Sequence, residues 1–154
     1  MNAHDEMCGV NLQQNQLMTS TVEYTGQLRT ICTHLASGSP IETDAPTDNH
    51  GLGQRFSPTD LTATSLATCM VTVMGIKARS LDFDLNGIHV NVTKTMAGAP
   101  RRIARIDLVF EIPSPLQELD PRTIDILKEI GDTCPVRLSL HPEIEVQIDW
   151  GAWS

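Results

Sequence analysis

One stretch constrains this chain more than any other: a helical pattern from Leu61 to about Arg79 whose residues are nearly all apolar or small. Ala63, Leu66, Ala67, Cys69, Met70, Val71, Val73, Met74 and Ile76 lie in it, and Gly75 is its only glycine. Its start is well marked. Ser57 is an N-cap residue, Pro58 fits the first helical position, and Asp60 takes the capping-box position. A helix apolar nearly all round predicts a buried central helix. No run reaches the ~18 consecutive apolar residues that a membrane span needs, and the stretch is rich in threonine. The chain has 154 residues, of which 4% are aromatic, so it has little material to cover such a helix on every side. Burying the helix between two copies of the chain solves that problem, which predicts a homodimer.

The remaining patterns are mostly strands. Thr21 to Tyr24 alternates, Gly26-Gln27 offers a turn, and Leu28 to His34 alternates again, predicting an antiparallel hairpin. Residues 37–56 are rich in glycine and proline and predict a loop, with one short strand around Ile41. Ile88–Thr93 and Ile106–Ile112 alternate, with a turn at 96–101 between them. Asp120-Pro121 opens a second helix, which ends near Gly131 to Cys134 because Pro135 disfavours helical geometry at the residue before it. A short helical turn resumes from Pro135 to Leu140, and a last strand follows at Ile144–Trp150. Strands and helices in this order predict an α+β fold. Residues 1–18 are polar and predict a loose N-terminal arm, leaving 19–154 as a single domain.

The formal net charge is −8, and the one basic cluster is Arg101, Arg102 and Arg105. That balance argues against a nucleic-acid binder. The opening MNAHDEMCGV has neither a basic nor an apolar segment of the secretory kind, so the expected location is the cytoplasm, where thiols are normally reduced. The four cysteines, Cys8, Cys32, Cys69 and Cys134, include no CxxC pair, and most isolated cysteines are small buried hydrophobes. Cys32 and His34 share a strand face but have no convincing further ligands, so no metal is expected. Cys8 lies in the arm as an incidental exposed thiol.

Two cysteines stand apart. At about 100° per residue, Cys69 shares a helix face with Thr62, Ser65, Thr72, Val73 and Ile76. That polar strip is unusual beside a core cysteine; the plain alternative is that the hydroxyls bond back to their own helix. Cys134 sits just before Pro135, at the N-cap of a new helical turn, where the exposed amides and the dipole favour a thiolate.

The segments Phe56-Ser57-Pro58-Thr59-Asp60-Leu61, Ala67-Thr68-Cys69-Met70 and Cys134-Pro135-Val136 with Ser139-Leu140 together resemble the osmotically inducible protein C / organic hydroperoxide resistance (OsmC/Ohr) family. Thr43 to Pro46 and Pro100 to Ile103 resemble its OsmC-like branch. The resemblance runs from about Val22 to Trp150. It implies an intertwined α+β homodimer, with two central buried helices wrapped by antiparallel sheets. It implies a thiol-dependent peroxidase for organic hydroperoxides, with Cys69 as the peroxidatic and Cys134 as the resolving cysteine. Arg29 matches the family's active-site arginine. An external dithiol would be the reductant, with no cofactor, metal, nucleic acid or membrane involved. The same fold also admits a non-catalytic alternative that binds a small ligand or senses oxidation.

One departure is clear. In the peroxidase branch a glutamate follows the proline and pairs with the arginine; here that position is Thr59, followed by Asp60. Both lie roughly 14–15 Å along the helix axis from Cys69 and cannot touch it within one straight helix. Thr59 and Asp60 are therefore accessory candidates, with Asp60 expected chiefly as a helix cap. Glu42, Asp44 and Asp48 form an acidic loop that could approach Arg29.

Overall fold

The computed structural model describes residues 18–154. All of the predicted arm except Met18, and Cys8 with it, lies outside the described residues. Backbone contacts divide the chain into two units, one ending at Pro58 and one running from Thr59 to Ser154.

The first unit is a three-stranded antiparallel meander of β1 (Ser20–Gly26), β2 (Arg29–His34) and β3 (Pro40–Asp44). The hairpin turns where the sequence places it, through Gly26, Gln27 and Leu28, all at positive φ. Val22, Cys32 and Ile41 form one cross-strand row, with Val22 and Ile41 exposed. Among the described residues, every buried apolar side chain belongs to the second unit.

The second unit begins with α1 (Pro58–Arg79), at the boundary read from the sequence. β4 (His89–Gly98) and β5 (Arg101–Glu111) form a long hairpin. Then come α2 (Ser114–Gln117), α3 (Pro121–Asp132), α4 (Pro135–Ser139) and β6 (Glu145–Asp149). The sheet order is β4-β5-β6.

Three expectations need correction. The hairpin turn is shorter than 96–101, because the pairing runs on to Gly98 and Arg101. The sheets are not all antiparallel: β6 runs parallel to β5, because three helices carry the chain across before it re-enters the sheet. And α1 is not buried all round within one chain. It buries the stripe Ala63, Leu66, Ala67, Met70, Met74 and Ala78, the i, i+3, i+4 pattern of a one-faced helix, and leaves Thr62, Thr68, Thr72 and Ile76 exposed. By length and composition alone this helix is long and apolar enough to cross a membrane, but its buried stripe belongs to the core.

That core joins the α1 stripe to Ile103, Ile106, Leu108 and Phe110 of β5, Leu127 of α3, and Trp153. Ile103 and Ile106 are an odd number of residues apart, yet both are buried. A bulge explains it: Thr95 pairs with Arg105 and Met96 with Ile103, so the register slips once and the core face is kept. Asp120 caps α3, its carboxylate accepting from the Thr123 amide at 3.2 Å.

After β6 the chain turns sharply at Gly151 so that the Trp153 indole can donate to the Leu116 carbonyl at 2.8 Å. Gly151 has φ +59, and a Cβ there would lie 2.3 Å from the Phe110 carbonyl oxygen. Gly151→Ala should therefore cost about 1–3 kcal/mol, read as a lower urea midpoint. Gly98→Ala, with open space around it, should leave the midpoint nearly unchanged.

Candidate active site

α1 places Cys69 beside its buried stripe, between Leu66 and Met70 in the helical turn, so its sulfur is half-buried against the core. The hydroxyls around it follow the plain alternative. Ser65 donates to the Thr62 carbonyl at 2.7 Å, Thr68 to Ser65 at 3.0 Å and Thr72 to Thr68 at 2.7 Å. They satisfy their own helix and leave the sulfur to other partners.

The second cysteine of this unit is Cys134. α3 ends at Asp132, and Pro135 starts α4, which makes Cys134 the N-cap. Its sulfur accepts from the Arg137 amide at 3.4 Å and is almost wholly buried, at 1% exposure. Cys69 and Cys134 are both free thiols, and Cys69 is close enough to act on the Cys134 thiol.

The electrostatics of the N-cap run against the sequence expectation. Burial pushes the Cys134 thiol up. The Arg137 amide pulls it down, but the hydrogen bond to Cys69 and negative charge there push it up again, and the net shift is upward. Cys134 is thus a harder thiol to ionise than an ordinary one. The cap is present, but a turn of five residues cannot outweigh the loss of solvent.

Arg29 belongs to the first unit, at the start of β2 and opposite Asp44 of β3. Its Nη2 donates to Asp44 Oδ2 at 3.3 Å and to Gln54 Oε1 at 2.5 Å. Asp44 Oδ2 also accepts from the Gln54 backbone amide at 3.0 Å. The Gln54 amide, first, and the Arg29 charge hold the Asp44 carboxyl below its usual range, against the opposing effect of burial. Of the acidic loop, Asp44 is the member that meets Arg29, while Glu42 pairs with Arg55 at 2.8 Å.

Thr59 and Asp60 lie in the first turn of α1. Asp60 forms an ion pair with Lys94 of β4 at 2.5 Å, a partner that the sequence reading missed. The basic cluster is countered by acids: Arg102 pairs with Glu143 at 2.9 Å, and Arg105 with Asp107. Cys32 has the Thr30 hydroxyl 3.9 Å away, and His34 meets Ser37 at 2.8 Å. Among the described residues, no three His, Cys, Asp or Glu side chains converge as metal ligands.

A family model described as OsmC-like protein matches residues 51–149, which include both cysteines of the pair. The chain belongs to the OsmC-like family. A solved protein from Psychrobacter arcticus, assigned provisionally to osmotic stress induction and detoxification response, is 48% identical. It superposes with a TM-score of 0.80 over 86% of this chain and 94% of that one. An organic hydroperoxide resistance protein OsmC from Legionella pneumophila shares the fold at 15% identity and a TM-score of 0.65, over 86% and 96% of the two chains. So does the organic hydroperoxide resistance protein OhrB of Bacillus subtilis, at 17% identity and a TM-score of 0.56, over 86% and 98%. No curated protein matches the chain.

Cys69→Ser removes the sulfur that contributes to raising the Cys134 thiol. The Cys134 pKa should therefore fall in this variant while staying above its usual value, because burial remains. Iodoacetamide labelling across pH 7–11, mapped by peptide mass to separate Cys32, reads the shift directly.

Proposed function

We propose that this OsmC-like protein is a thiol-dependent peroxidase that reduces organic hydroperoxides. The observation that supports it most strongly is a half-buried Cys69 beside a buried Cys134 whose thiol it helps to raise. Either cysteine alone has a plain core role. Two neighbouring free sulfurs with unequal access to solvent suit a sequential redox reaction.

The Cys69 thiolate attacks the distal oxygen of the hydroperoxide. An S–O bond forms, the O–O bond breaks, and the leaving alkoxide takes a proton to become an alcohol. Cys69 is now a sulfenic acid and no longer carries a thiolate charge. The influence of that charge on Cys134 disappears at the moment Cys134 must ionise. The Cys134 thiolate then attacks the Cys69 sulfur and releases water, so that one hydroperoxide and two thiols yield an alcohol, water and a disulfide. An external dithiol restores the pair by exchange, as a reducing cytoplasm allows. By the family resemblance, Arg29 is the arginine for this chemistry, since a fixed guanidinium can stabilise a peroxide or a thiolate. The apolar packing around Cys69 favours an organic peroxide over hydrogen peroxide, in keeping with the names of the Legionella and Bacillus relatives.

Intact mass under thiol-blocking conditions tests the cycle. One equivalent of cumene hydroperoxide should remove two thiols from the wild type, while Cys134→Ser accumulates a trappable sulfenate and Cys69→Ser stays reduced. Slow oxidation without preference for Cys69 overturns the reading.

The working form is assigned as a homodimer. Among its described residues, the first unit exposes Val22, Tyr24, Leu28 and Ile41 and buries no apolar side chain. A meander of three strands needs a packed hydrophobic face to be stable. On the second unit a groove of about 330 Å³, lined by Val73, Ile76, Lys77, Ser80 and Ile130, opens on the exposed side of α1. Light scattering at micromolar concentration should give twice the chain mass for the wild type and a lower mass for Ile76→Asp; a monomeric wild type overturns the assignment.

A further inference from the structure

Gly131 stands where the backbone does not call for glycine. It lies in the last turn of α3, its φ is not positive, and the C-cap is Thr133, so any residue could adopt its conformation. Alanine would favour the helix more, since glycine loses more chain freedom on folding. Space explains the choice. Gly131 is buried, and a Cβ on it would lie 2.9 Å from Met74 Sδ, 3.3 Å from Met74 Cγ and 3.4 Å from Trp150 Cη2. Both neighbours are packed from behind. Met74 is fully buried in the core, and the Trp150 ring centre lies 4.6 Å from that of buried Phe110.

This contact lies within the second unit, between the helix that carries Cys69 and the helix that leads into Cys134. Ile130 and Val73 line one groove, Gly131 rests on Met74, and Cys134 neighbours Cys69. Followed toward the end of α3, the contacts step back along α1 from Val73 and Met74 to Cys69. Cys134 is tied to Gly131 itself: its amide donates to the Gly131 carbonyl at 3.1 Å. Where Gly131 sits therefore governs where Cys134 sits. A disulfide tolerates little error in that position, because it needs its two Cβ atoms about 3.5–4.5 Å apart.

We propose that Gly131 is a positioning residue for disulfide formation: its missing side chain lets α3 settle on Met74 and brings Cys134 to Cys69. This role rests on the peroxidase reading above and governs its second step. In that step the Cys134 thiolate attacks the Cys69 sulfenic acid, the S–S bond forms and water leaves. A Cβ at position 131, 2.9 Å from Met74 Sδ, would hold α3 off by roughly half an ångström, because ordinary contacts settle at about 3.5–4.0 Å.

The test compares the wild type, Gly131→Ala, Met74→Ala and the Gly131→Ala/Met74→Ala double variant, in which the Met74 atoms that the new Cβ would meet are gone. A urea midpoint checks that each is folded. With cumene hydroperoxide, Gly131→Ala should lose the Cys69 thiol at the wild-type rate yet form the disulfide roughly 10-fold more slowly, since a misplacement of about 1 Å costs about 100-fold. A sulfenate trapped by dimedone should persist in it. In a glutathione redox buffer without peroxide, its Cys69–Cys134 disulfide should be roughly 10-fold easier to reduce, a potential about 30 mV higher. The double variant should match Met74→Ala in both readouts, because the Cβ then has room. Wild-type resolution and potential in Gly131→Ala overturn the positioning role. Equal slowing of both steps overturns it as well, because it marks a general loss of structure. Should Gly131→Ala not fold, the double variant decides: a disulfide weaker than that of Met74→Ala overturns the role, and an equal one supports it. A wild-type disulfide that forms in glutathione but not with hydroperoxide overturns the peroxidase reading alone, and the potentials still judge Gly131. A wild type that forms no such disulfide with either oxidant overturns both.

Discussion

The arrangement depends on one packing decision, the choice of which stripe of α1 faces the core. Leu66, Met70 and Met74 are fully buried with Ile106, Leu108 and Leu127. Fully burying side chains of this size is worth about 1.5–3 kcal/mol each relative to exposure, so the rotation of the helix about its axis is not free. Cys69 lies just off that stripe. It packs against the core yet stays half-buried. A rotation of one residue, about 100°, would carry the cysteine fully in or fully out.

Cys134 depends on the same core from the other side. α3 must end where it does, and Pro135 makes it end there, because the residue before a proline leaves helical geometry. The break turns Cys134 inward under the next helical turn, where burial governs its protonation. The two sulfurs therefore differ for reasons of position: one sits at the edge of an apolar stripe, the other beneath a helix junction. Unequal solvation of two equal groups is a general way to separate their roles.

Much of this was legible in the sequence because it is written in local chemistry. Ser57-Pro58, Asp120-Pro121 and Cys134-Pro135 each carry their helix start, and the alternating runs carry their strands. What stayed hidden is non-local. Strand alternation does not encode direction, so the parallel pairing of β6 could not be read from it. Ile103 and Ile106 break the alternation, and only the register with Met96 and Thr95 shows the bulge that reconciles them. Asp60 reads as a cap because its neighbours say so; its ion pair with Lys94 spans 34 residues of sequence. The acidic loop was visible beside Arg29, but choosing Asp44 over Glu42 and Asp48 required the register of β2 with β3. The balance at Cys134 was misjudged because a cap is local and burial is not.

The outward face of α1 carries a last consequence. It is rich in threonine, which on composition suggests a solvated surface. Yet the hydroxyls of Ser65, Thr68 and Thr72 all donate to carbonyls of the same helix. With their donors already used, these residues turn mainly methyl and methylene surface outward. Removing water from such a face breaks few hydrogen bonds, so the usual penalty for burying polar groups is small. Ile76, 66% exposed, lies further along the helix, and the groove it lines adds apolar surface. The face is polar by composition and apolar by chemistry. A helix that reads as buried all round but buries a single stripe within one chain thus keeps a second face whose hydroxyl donors are already satisfied.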